Sequence, residues 1–536
     1  MMEGVWGARF PSRRSTVMSL NGMVATSQPL AAAAGLEVLR EGGNAVDAAV
    51  ATAAALAVVE PMSTGLGGDA WMLLRLSDGT VVGLNASGGA PAAATPAEFR
   101  RRGVSEMPLR GLLPVTVPGA VDGWTTLLAA YGRRSLAEVL APAIHYAGQG
   151  FPVSPIVART WQASEAVLRA FPETARTYLI DGHRAPGAGE VFRQPNLART
   201  FRLIAQGGRD AFYEGEIAEA LDRSSAAHDG LLTAADLAAH HSRWVEPIWA
   251  DYRGYRLYEC PPNGQGLVAL LALNLLEGFD LGALTFGSPE ALHLQIEALR
   301  LAFADGFRYI ADPEAASVPV TGLLDPAYTT GRRGLIDPTR AAVRAAPGQP
   351  RFGDDTVYLT VVDRDRMACS FINSLFHGWG SGVVAGETGM ILQNRGAGFS
   401  LDPEHPNVVA PGKRPYHTII PAMVTHEDRL FMSYGVMGGL MQPQGHVQVL
   451  CNIVDWGMEP QTALDAPRFR IADDAVALEP QWPAAVREAL TARGHRFAPV
   501  PAMGAFGGGQ IVMADLQSGA LLGASEPRKD GCAIGW

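Results

Sequence analysis

The sequence predicts an α+β fold in which helices and strands pack as layers. Apolar residues at helical spacing dominate the first two thirds of the chain, and short β-rich segments separated by turns follow from about residue 356. Such blocks favour layered packing over alternating βαβ units. With 48% hydrophobic and 18% charged residues among 536, the chain has a large buried core, which excludes disordered and fibrous classes.

Helical patterns begin near residue 28. A helix over 28–40 stops at Gly42-Gly43, and an Ala-rich helix over 46–59 follows it. Two helices are therefore expected to pack together early in the chain. Further helices are predicted over 121–131, 136–147, 196–206, 289–310 and 445–456.

Strand patterns are predicted mainly in the last third. An early hairpin joins 71–76 to 81–84 through Asp78-Gly79. After a Pro- and Gly-bearing stretch over 346–353, a sheet is expected to begin near residue 356. Its strands are predicted over 357–362, 368–372, 390–393, 419–424, 430–434, 510–514 and 520–522.

Charge and apolar run lengths exclude several classes of partner. The 43 basic and 53 acidic residues give a net charge of −10 without a basic run, so nucleic acid is not an expected partner. The apolar stretch 48–59 is too short for a membrane span, which needs about 20 residues. The first 30 residues contain no apolar signal region, so we expect a cytoplasmic location.

Cysteine and histidine spacing does not predict a metal site. Cys260, Cys369, Cys451 and Cys532 lie far apart, and buried free thiols are expected rather than disulfides or a zinc site. The twelve histidines include no H-E-x-x-H motif. The chain also has no G-x-S-x-G motif, which argues against an α/β-hydrolase.

Two motifs have both an ordinary and a functional interpretation. The glycine-rich segment 63–69 follows a helix without G-x-G-x-x-G spacing, which favours a structural turn over a phosphate loop. Thr356 opens an alternating strand, a common place for threonine. If the peptide bond before it were cut, however, Thr356 would carry both a nucleophilic hydroxyl and an α-amine that accepts protons near neutral pH. The residues alone leave both possibilities open.

Several motifs resemble those of the γ-glutamyltransferase family of N-terminal-nucleophile hydrolases, over nearly the whole chain. The resemblance implies a four-layer αββα sandwich and a proenzyme that cleaves itself between Asp355 and Thr356. A large subunit (residues 1–355) and a small subunit (356–536) would result. The matching motifs are GGNAVDAA at 42–49, STGLGGD at 63–69, PPNGQG at 261–266, EALRLAFAD at 297–305 and GSGVVAGE at 380–387.

The resemblance also implies a set of catalytic residues. The family's nucleophile falls on Thr356, and its hydroxyl partner falls on Ser374. The two backbone amides of the oxyanion hole fall on Gly438 and Gly439. Neither a cofactor nor a metal ion is implied.

The family's binding pocket for the glutamyl head is altered in this sequence. Ser87 stands where the family has an arginine for the α-carboxylate, and Gly398 stands where it has an acid for the α-amine. The family's asparagine two positions after the hydroxyl partner is Phe376, and its Ser-Ser pair is His417-Thr418. These substitutions predict a different acyl group.

Arg395 is the remaining candidate for substrate binding, three residues before Gly398. A buried arginine without a carboxylate partner is costly, so Arg395 either pairs internally or binds an anionic substrate. The pattern resembles the branch of the family that includes oxamate amidohydrolase and the glutaryl cephalosporin acylases. It predicts hydrolysis of a small, carboxylate-bearing amide.

Two other functions remain compatible with the sequence. One is γ-glutamyl hydrolysis or transfer, on glutathione or γ-glutamyl amides, with a rearranged pocket. The other is an unprocessed pseudoenzyme or binding protein. The expected partners are a small-molecule amide and the two subunits of one precursor, and the sequence is compatible with a homo-oligomer of the processed heterodimer.

Overall fold

Two antiparallel sheets lie face to face, with helices covering both outer faces. The computed structural model describes residues 14–342, 356–472, 474–500 and 504–536. Within these residues, each main sheet contains seven strands. The predicted α+β class and the αββα sandwich are confirmed.

The described strands, in chain order, are β1 (Val17–Ser19), β2 (Met23–Thr26), β3 (Asp69–Arg75), β4 (Val81–Ala86), β5 (Phe151–Pro152), β6 (Val191–Phe192), β7 (Arg243–Val245), β8 (Ile248–Tyr252), β9 (Tyr255–Glu259), β10 (Val357–Val362), β11 (Ala368–Ser374), β12 (Ala422–His426), β13 (Arg429–Met437), β14 (Phe469–Ala472), β15 (Ala475–Leu478), β16 (Gly508–Ala514), β17 (Leu521–Ser525) and β18 (Cys532–Gly535). One sheet has the order β1-β17-β16-β13-β12-β9-β8, and the other has the order β18-β2-β10-β11-β3-β4-β7.

The described helices are α1 (Pro29–Arg40), α2 (Ala45–Val59), α3 (Pro96–Arg101), α4 (Ala120–Tyr131), α5 (Leu136–Gln149), α6 (Pro155–Ala163), α7 (Glu165–Arg169), α8 (Pro172–Tyr178), α9 (Pro195–Tyr213), α10 (Glu216–Ala227), α11 (Ala234–Ala238), α12 (Gly266–Leu276), α13 (Pro289–Tyr309), α14 (Val320–Leu323), α15 (Pro326–Arg333), α16 (Met441–Val454), α17 (Pro460–Asp465) and α18 (Ala484–Ala492). Helices α1 and α2 pack on the sheet that contains β10, whereas α12 and α16 pack on the sheet that contains β13.

Both sheets combine strands from before and after residue 356. Strand β10 lies between β2 and β11, and β13 lies between β12 and β16 in the sheet that also holds β8 and β9. The expectation that a sheet begins near residue 356 is therefore wrong. The early strand β2 is only four residues long and entirely buried, so it gives no alternating pattern.

A dry layer of side chains fills the space between the sheets. Burial of this layer fixes how the two sheets face each other, and with them the strands that carry the site. Its larger members are Met23, Trp71, Leu73, Tyr358, Ile372, Met423 and Val512.

Helix predictions succeeded where a cap or an apolar stripe was visible. Helix α1 begins after Gln28, whose side chain caps it, and α2 begins with a capping box at Asn44. Helix α12 was missed because its residues are apolar on all sides and show no period. Residues 390–393 were predicted as a strand but make only isolated bridges, at Ile391 and Leu392.

Two further sequence expectations concern thiols and membranes. Cys260, Cys369 and Cys451 are buried free thiols as expected, while Cys532 is partly exposed. Among the described helices, none combines the length and the apolar character that crossing a bilayer requires.

Candidate active site

Thr356 and Ser374 meet at the same end of two neighbouring strands. Thr356 directly precedes β10, Ser374 closes β11, and these strands pair with Val357 opposite Asn373. The Thr356 Oγ1 and Ser374 Oγ atoms lie 3.1 Å apart, and both residues are buried. The antiparallel pairing thus brings together two hydroxyl groups that the sequence separates. Asp355, the other half of the predicted cleavage site, lies outside the described residues.

The glycine-rich segment 63–69 fixes the position of Ser374 from the neighbouring strand. Asp69 at the start of β3 lies opposite Ser374. A Cβ atom on Gly68 would lie 2.4 Å from the Ser374 carbonyl oxygen, and one on Gly67 would lie 2.2 Å from the Ile391 carbonyl oxygen. Only glycine permits this close approach, which supports the interpretation of the segment as a structural turn.

Gly438 and Gly439 form the turn between β13 and α16. Their φ angles of 123° and 57° lie in the left-handed region that favours glycine. Strand β13 is tied to β10 by a 2.6 Å hydrogen bond from Thr360 Oγ1 to Ser433 Oγ. The turn therefore follows a strand that packs directly against the strand of Thr356.

Arg395 lies fully buried at the start of a short 3₁₀ helix, Arg395–Gly398. Its Nη1 donates to Thr418 Oγ1 at 2.8 Å, and its Nε lies 3.4 Å from Asp69 Oδ2. The guanidinium carbon sits 4.4 Å from the centroid of the Phe376 ring. In the described part of the chain, Arg395 Nη2 has no hydrogen-bond partner. Arg395 thus has an internal ion-pair partner and one group of donors still unused.

Burial and the neighbouring negative charge shift the pKa of Arg395 in opposite directions. Loss of solvent lowers the pKa of Arg395 to about 10, although Asp69 opposes the shift. The side chain remains a cation at neutral pH. An unused N–H group on a buried cation is a strong site for a carboxylate.

Asp69 connects four groups around the pocket. Its Oδ1 accepts hydrogen bonds from Gly88 N and Gln393 Nε2, each at 3.0 Å. Its Oδ2 lies 2.9 Å from His417 Nε2, close to Arg395. Sequence reasoning missed both Asp69 and Gln393. The available signal was a carboxylate directly before the apolar run Ala70–Leu74.

His417 is neutral in this environment. Burial lowers the pKa of His417 to about 4, and the Arg395 cation contributes to the shift. Its Nδ1 receives the backbone N–H of Ile419 at 3.4 Å, so the ring proton sits on Nε2 and points to Asp69. The structure therefore places His417 beside Arg395 through their shared neighbour Asp69; a role in substrate binding stays a prediction.

Phe376 connects the two parts of the site. Its backbone N–H donates to Ser374 Oγ at 2.9 Å, while its ring lies against Arg395. It holds a φ of 82°, a left-handed conformation that is strained for a non-glycine residue. The hydroxyl pair and the arginine are thus held on either side of one constrained residue.

The predicted binding residue Ser87, and Gly398 at the position of the family's acid, do not bring a side chain to Arg395. Ser87 Oγ donates to Asn85 Oδ1 at 2.6 Å, and it is the next residue, Gly88, that contacts Asp69. Gly398 has no side chain, and a Cβ there would lie 3.1 Å from the Tyr416 carbonyl oxygen. The carboxylate beside Arg395 is that of Asp69, from β3.

A family model for gamma-glutamyltranspeptidase matches residues 31–536. The chain belongs to the gamma-glutamyltranspeptidase family. It is an enzyme, since its relatives are named as hydrolases, acylases and amidohydrolases.

Three relatives illustrate the range of this gamma-glutamyltranspeptidase family. The chain is 39% identical to the glutathione hydrolase-like YwrD proenzyme of Bacillus subtilis, covering 97% of this chain and 99% of the relative. It is 36% identical to the oxamate amidohydrolase proenzyme of Klebsiella pneumoniae, covering 97% and 100%. The solved cephalosporin acylase of Bacillus halodurans is 47% identical, with a TM-score of 0.93 over 100% of this chain and 99% of that one.

A second buried polar cluster lies away from this site, and it has the residue types of a metal centre. His293 and Glu297 lie one turn apart on α13 and face His495. His293 Nδ1 is 2.7 Å from His495 Nε2, and His293 Nε2 is 2.8 Å from the Asp337 carbonyl oxygen. Arg300 Nη1 lies 2.9 Å from Glu297 Oε1 and 3.4 Å from His495 Nδ1. All four ring nitrogens have protein partners, so we assign the cluster as a hydrogen-bond network.

Proposed function

We propose that the protein is a self-processing amidohydrolase that cleaves the amide bond of a small, carboxylate-bearing acyl substrate. One observation carries the proposal: Phe376 connects the Thr356–Ser374 hydroxyl pair to a buried arginine with unused donors. A nucleophile and an anion-binding group are what such a reaction needs.

Maturation is proposed to begin at the bond between Asp355 and Thr356. Thr356 Oγ attacks the Asp355 carbonyl carbon, the peptide C–N bond breaks, and the acyl group moves to the oxygen as an ester. Water then hydrolyses the ester, leaving a carboxylate on Asp355 and a free α-amine on Thr356. Relatives named as proenzymes support this step. The products are residues 1–355 and 356–536.

Catalysis by the processed enzyme is proposed to use the same hydroxyl. Thr356 Oγ attacks the substrate's amide carbonyl while its α-amine accepts the hydroxyl proton and passes it to the leaving nitrogen. The backbone N–H groups of Gly438 and Gly439 stabilise the oxyanion, and Ser374 orients the nucleophile. Water then attacks the acyl-enzyme ester and releases the acid. These steps require no cofactor.

The contacts of Asp69 argue against an acyl group with an α-amine. Both carboxylate oxygens of Asp69 already accept hydrogen bonds or face Arg395 and His417. The Arg395 Nη2 group is available to a carboxylate. An anionic acyl group without an ammonium, as in oxamate or a dicarboxylic monoamide, therefore fits this pocket better than a γ-glutamyl group.

Two measurements test the proposal. Mass spectrometry of the purified protein should show a small subunit that starts at Thr356, and the Thr356→Ala variant should remain one inactive chain. Ammonia release from oxamate, succinamate and glutaramate should then be compared with glutathione hydrolysis.

The substrate comparison has a stated expectation. A buried ammonium without a charged partner costs about 1.5 to 3 kcal/mol, so glutathione should be disfavoured by roughly 10- to 150-fold in kcat/KM. An intact chain in the active wild type would refute the mechanism. A preference for glutathione over every monoamide would refute the assigned substrate class.

A further inference from the structure

The buried side chains around Arg395 are already electrically balanced before any substrate binds. Asp69 contributes one negative charge, Arg395 one positive charge, and His417 is neutral. All three side chains are 0% exposed. A bound carboxylate would therefore add an uncompensated charge to an enclosed site.

Burying such a charge is costly unless it is compensated. When an anion enters a low-dielectric interior without a partner, the anion or a neighbouring group takes up a proton, because this costs less free energy than leaving the charge unpaired. Asp69 Oδ2 and His417 Nε2 are 2.9 Å apart, and Asp69 Oδ2 and Arg395 Nε are 3.4 Å apart. A substrate carboxylate on Arg395 would draw this cation away from Asp69 and leave the Asp69–His417 pair with an excess of negative charge.

We infer that an anionic acyl group binds this pocket together with one proton, which the Asp69–His417 pair takes up. The step is balanced: enzyme, anion and one proton give a complex in which the pair carries the added proton. The proton is assigned to the pair because Asp69 Oδ2 and His417 Nε2 are in direct hydrogen-bond contact and can share it. This inference rests on the proposed function, because it assumes that the acyl group carries a carboxylate.

The surroundings of the pair contain few competing groups. Arg395 on the 3₁₀ helix is the charged side chain that faces the pair, while Gly88, Gln393 and Thr418 contribute neutral dipoles. Toward His417, the neighbouring segments contribute the Trp71 ring and the carbonyl oxygen of Asn263.

Two other histidines could take up a proton in this region. His240 stacks on Tyr213 and interacts electrostatically with Asp122 and Asp69, and burial lowers the pKa of His240 to about 4. His377 lies beside Arg395, and burial lowers its pKa to about 3, aided by Arg110 and Arg395. Neither makes a hydrogen bond to Asp69 among the described residues, and His377 serves as the control.

The experiment measures proton uptake on binding to the processed enzyme. Suitable probes are pyruvate, levulinate and 5-oxohexanoate, which carry a methyl group where oxamate, succinamate and glutaramate carry the amide nitrogen, and so cannot be hydrolysed. Titration calorimetry at pH 6 in two buffers of different ionisation enthalpy, PIPES and Tris, gives the number of protons bound. We expect a value near one for the probe that binds best.

A second measurement checks the same stoichiometry without calorimetry. The dissociation constant should rise about tenfold per pH unit across the range in which one proton is taken up, because raising the pH removes the proton that accompanies the anion. The carboxylates of the probes stay ionised from pH 6 to pH 8, so their own titration does not contribute.

Variants assign the proton. Asp69→Asn keeps the shape of the side chain but removes the negative charge, so Arg395 alone balances the ligand and uptake should fall to near zero. His377→Gln should leave uptake near one. Loss of uptake in His377→Gln, or persistence of uptake in Asp69→Asn, overturns the assignment to the pair.

The possible outcomes distinguish a failure of the proton-uptake inference from a failure of the proposed function on which it rests. Binding of a carboxylate probe without proton uptake by the wild type overturns the inference and leaves the proposed function intact. Failure of all three probes to bind, with activity on a neutral or γ-glutamyl amide, overturns the proposed substrate class and the inference with it. If Asp69→Asn does not fold, the pH dependence of wild-type binding decides the question.

Discussion

Replacing Arg395 with methionine tests how much the buried ion pair contributes to stability. The change removes the cation but keeps an unbranched side chain, and it leaves Asp69 at 0% exposure with neutral partners only. Breaking a buried pair by removing one partner costs about 3 to 5 kcal/mol. The donors that remain on Asp69 place the expected loss near the lower end, at about 3 kcal/mol.

The expected loss converts to a measurable temperature shift. An unfolding entropy of about 2.1 cal/mol/K per residue corresponds to about 1.1 kcal/mol/K for 536 residues. If the protein unfolds as one unit, Arg395→Met should lower the Tm by about 3 °C in differential scanning calorimetry. The double variant Asp69→Asn/Arg395→Met removes both charges and should recover at least half of this loss, because no buried charge is left unpaired.

The double variant also defines the refuting result. Equal Tm values for Arg395→Met and the double variant would mean that the loss reflects packing against Phe376 rather than charge. A shift below about 1 °C in Arg395→Met would mean that solvent reaches the Asp69 carboxylate, although this side chain is buried in the structure. Either result would refute the claim that the Asp69–Arg395 ion pair determines the stability loss.

Three further predictions concern the rest of the molecule. Ser374→Ala should lower kcat about 2- to 13-fold with little change in KM, because the variant loses one hydrogen bond to Thr356, which is worth about 0.5 to 1.5 kcal/mol. An unchanged kcat would exclude Ser374 from the site. Gly68→Ala should lower the free energy of unfolding by about 1 to 3 kcal/mol, measured by calorimetry, and reduce turnover, because the new Cβ would lie 2.4 Å from the Ser374 carbonyl oxygen. The control Gly65→Ala should behave as wild type, because the atom nearest to its new Cβ lies 3.9 Å away. Although burial opposes it, Arg468 and Arg528 lower the pKa of Glu526 to about 2. Glu526→Gln should therefore reduce stability by about 3 kcal/mol at pH 7. The deficit should shrink as the pH falls from about 4 toward 2, because the carboxylate of the unfolded wild-type chain takes up a proton in that range while the native carboxylate still stays ionised. A deficit independent of pH would contradict the assignment.

The sequence predicted those elements whose signals are local. Helix α2 shows a capping box at Asn44, and β10 was predicted at its observed bounds, 357–362, because all its residues except Leu359 are β-branched or aromatic. Strand β18 and helix α12 were not predicted, since a short partly buried strand and a uniformly apolar helix give no periodic signal.

The same distinction between local and long-range signals applies to the candidate site. Thr356, Ser374 and the Gly438-Gly439 turn could be named from motifs, and the structure places the two hydroxyl groups together. Asp69 could not be named as the partner of Arg395, because the pairing depends on β3 and a distant 3₁₀ helix meeting in space. Ser87 was named from its alignment to a lost arginine, and its side chain instead bonds Asn85.

The interleaving of β10 between β2 and β11 has a consequence for how the molecule recovers from denaturation. Before the proposed cut at Thr356, all the strands belong to one polymer, and refolding is a first-order process whose rate does not depend on concentration. After the cut, the two chains must find each other, so refolding becomes second order and the apparent Tm depends on enzyme concentration. Dilution would then make thermal inactivation of the mature enzyme irreversible, whereas the uncut Thr356→Ala chain would regain its fold at any dilution.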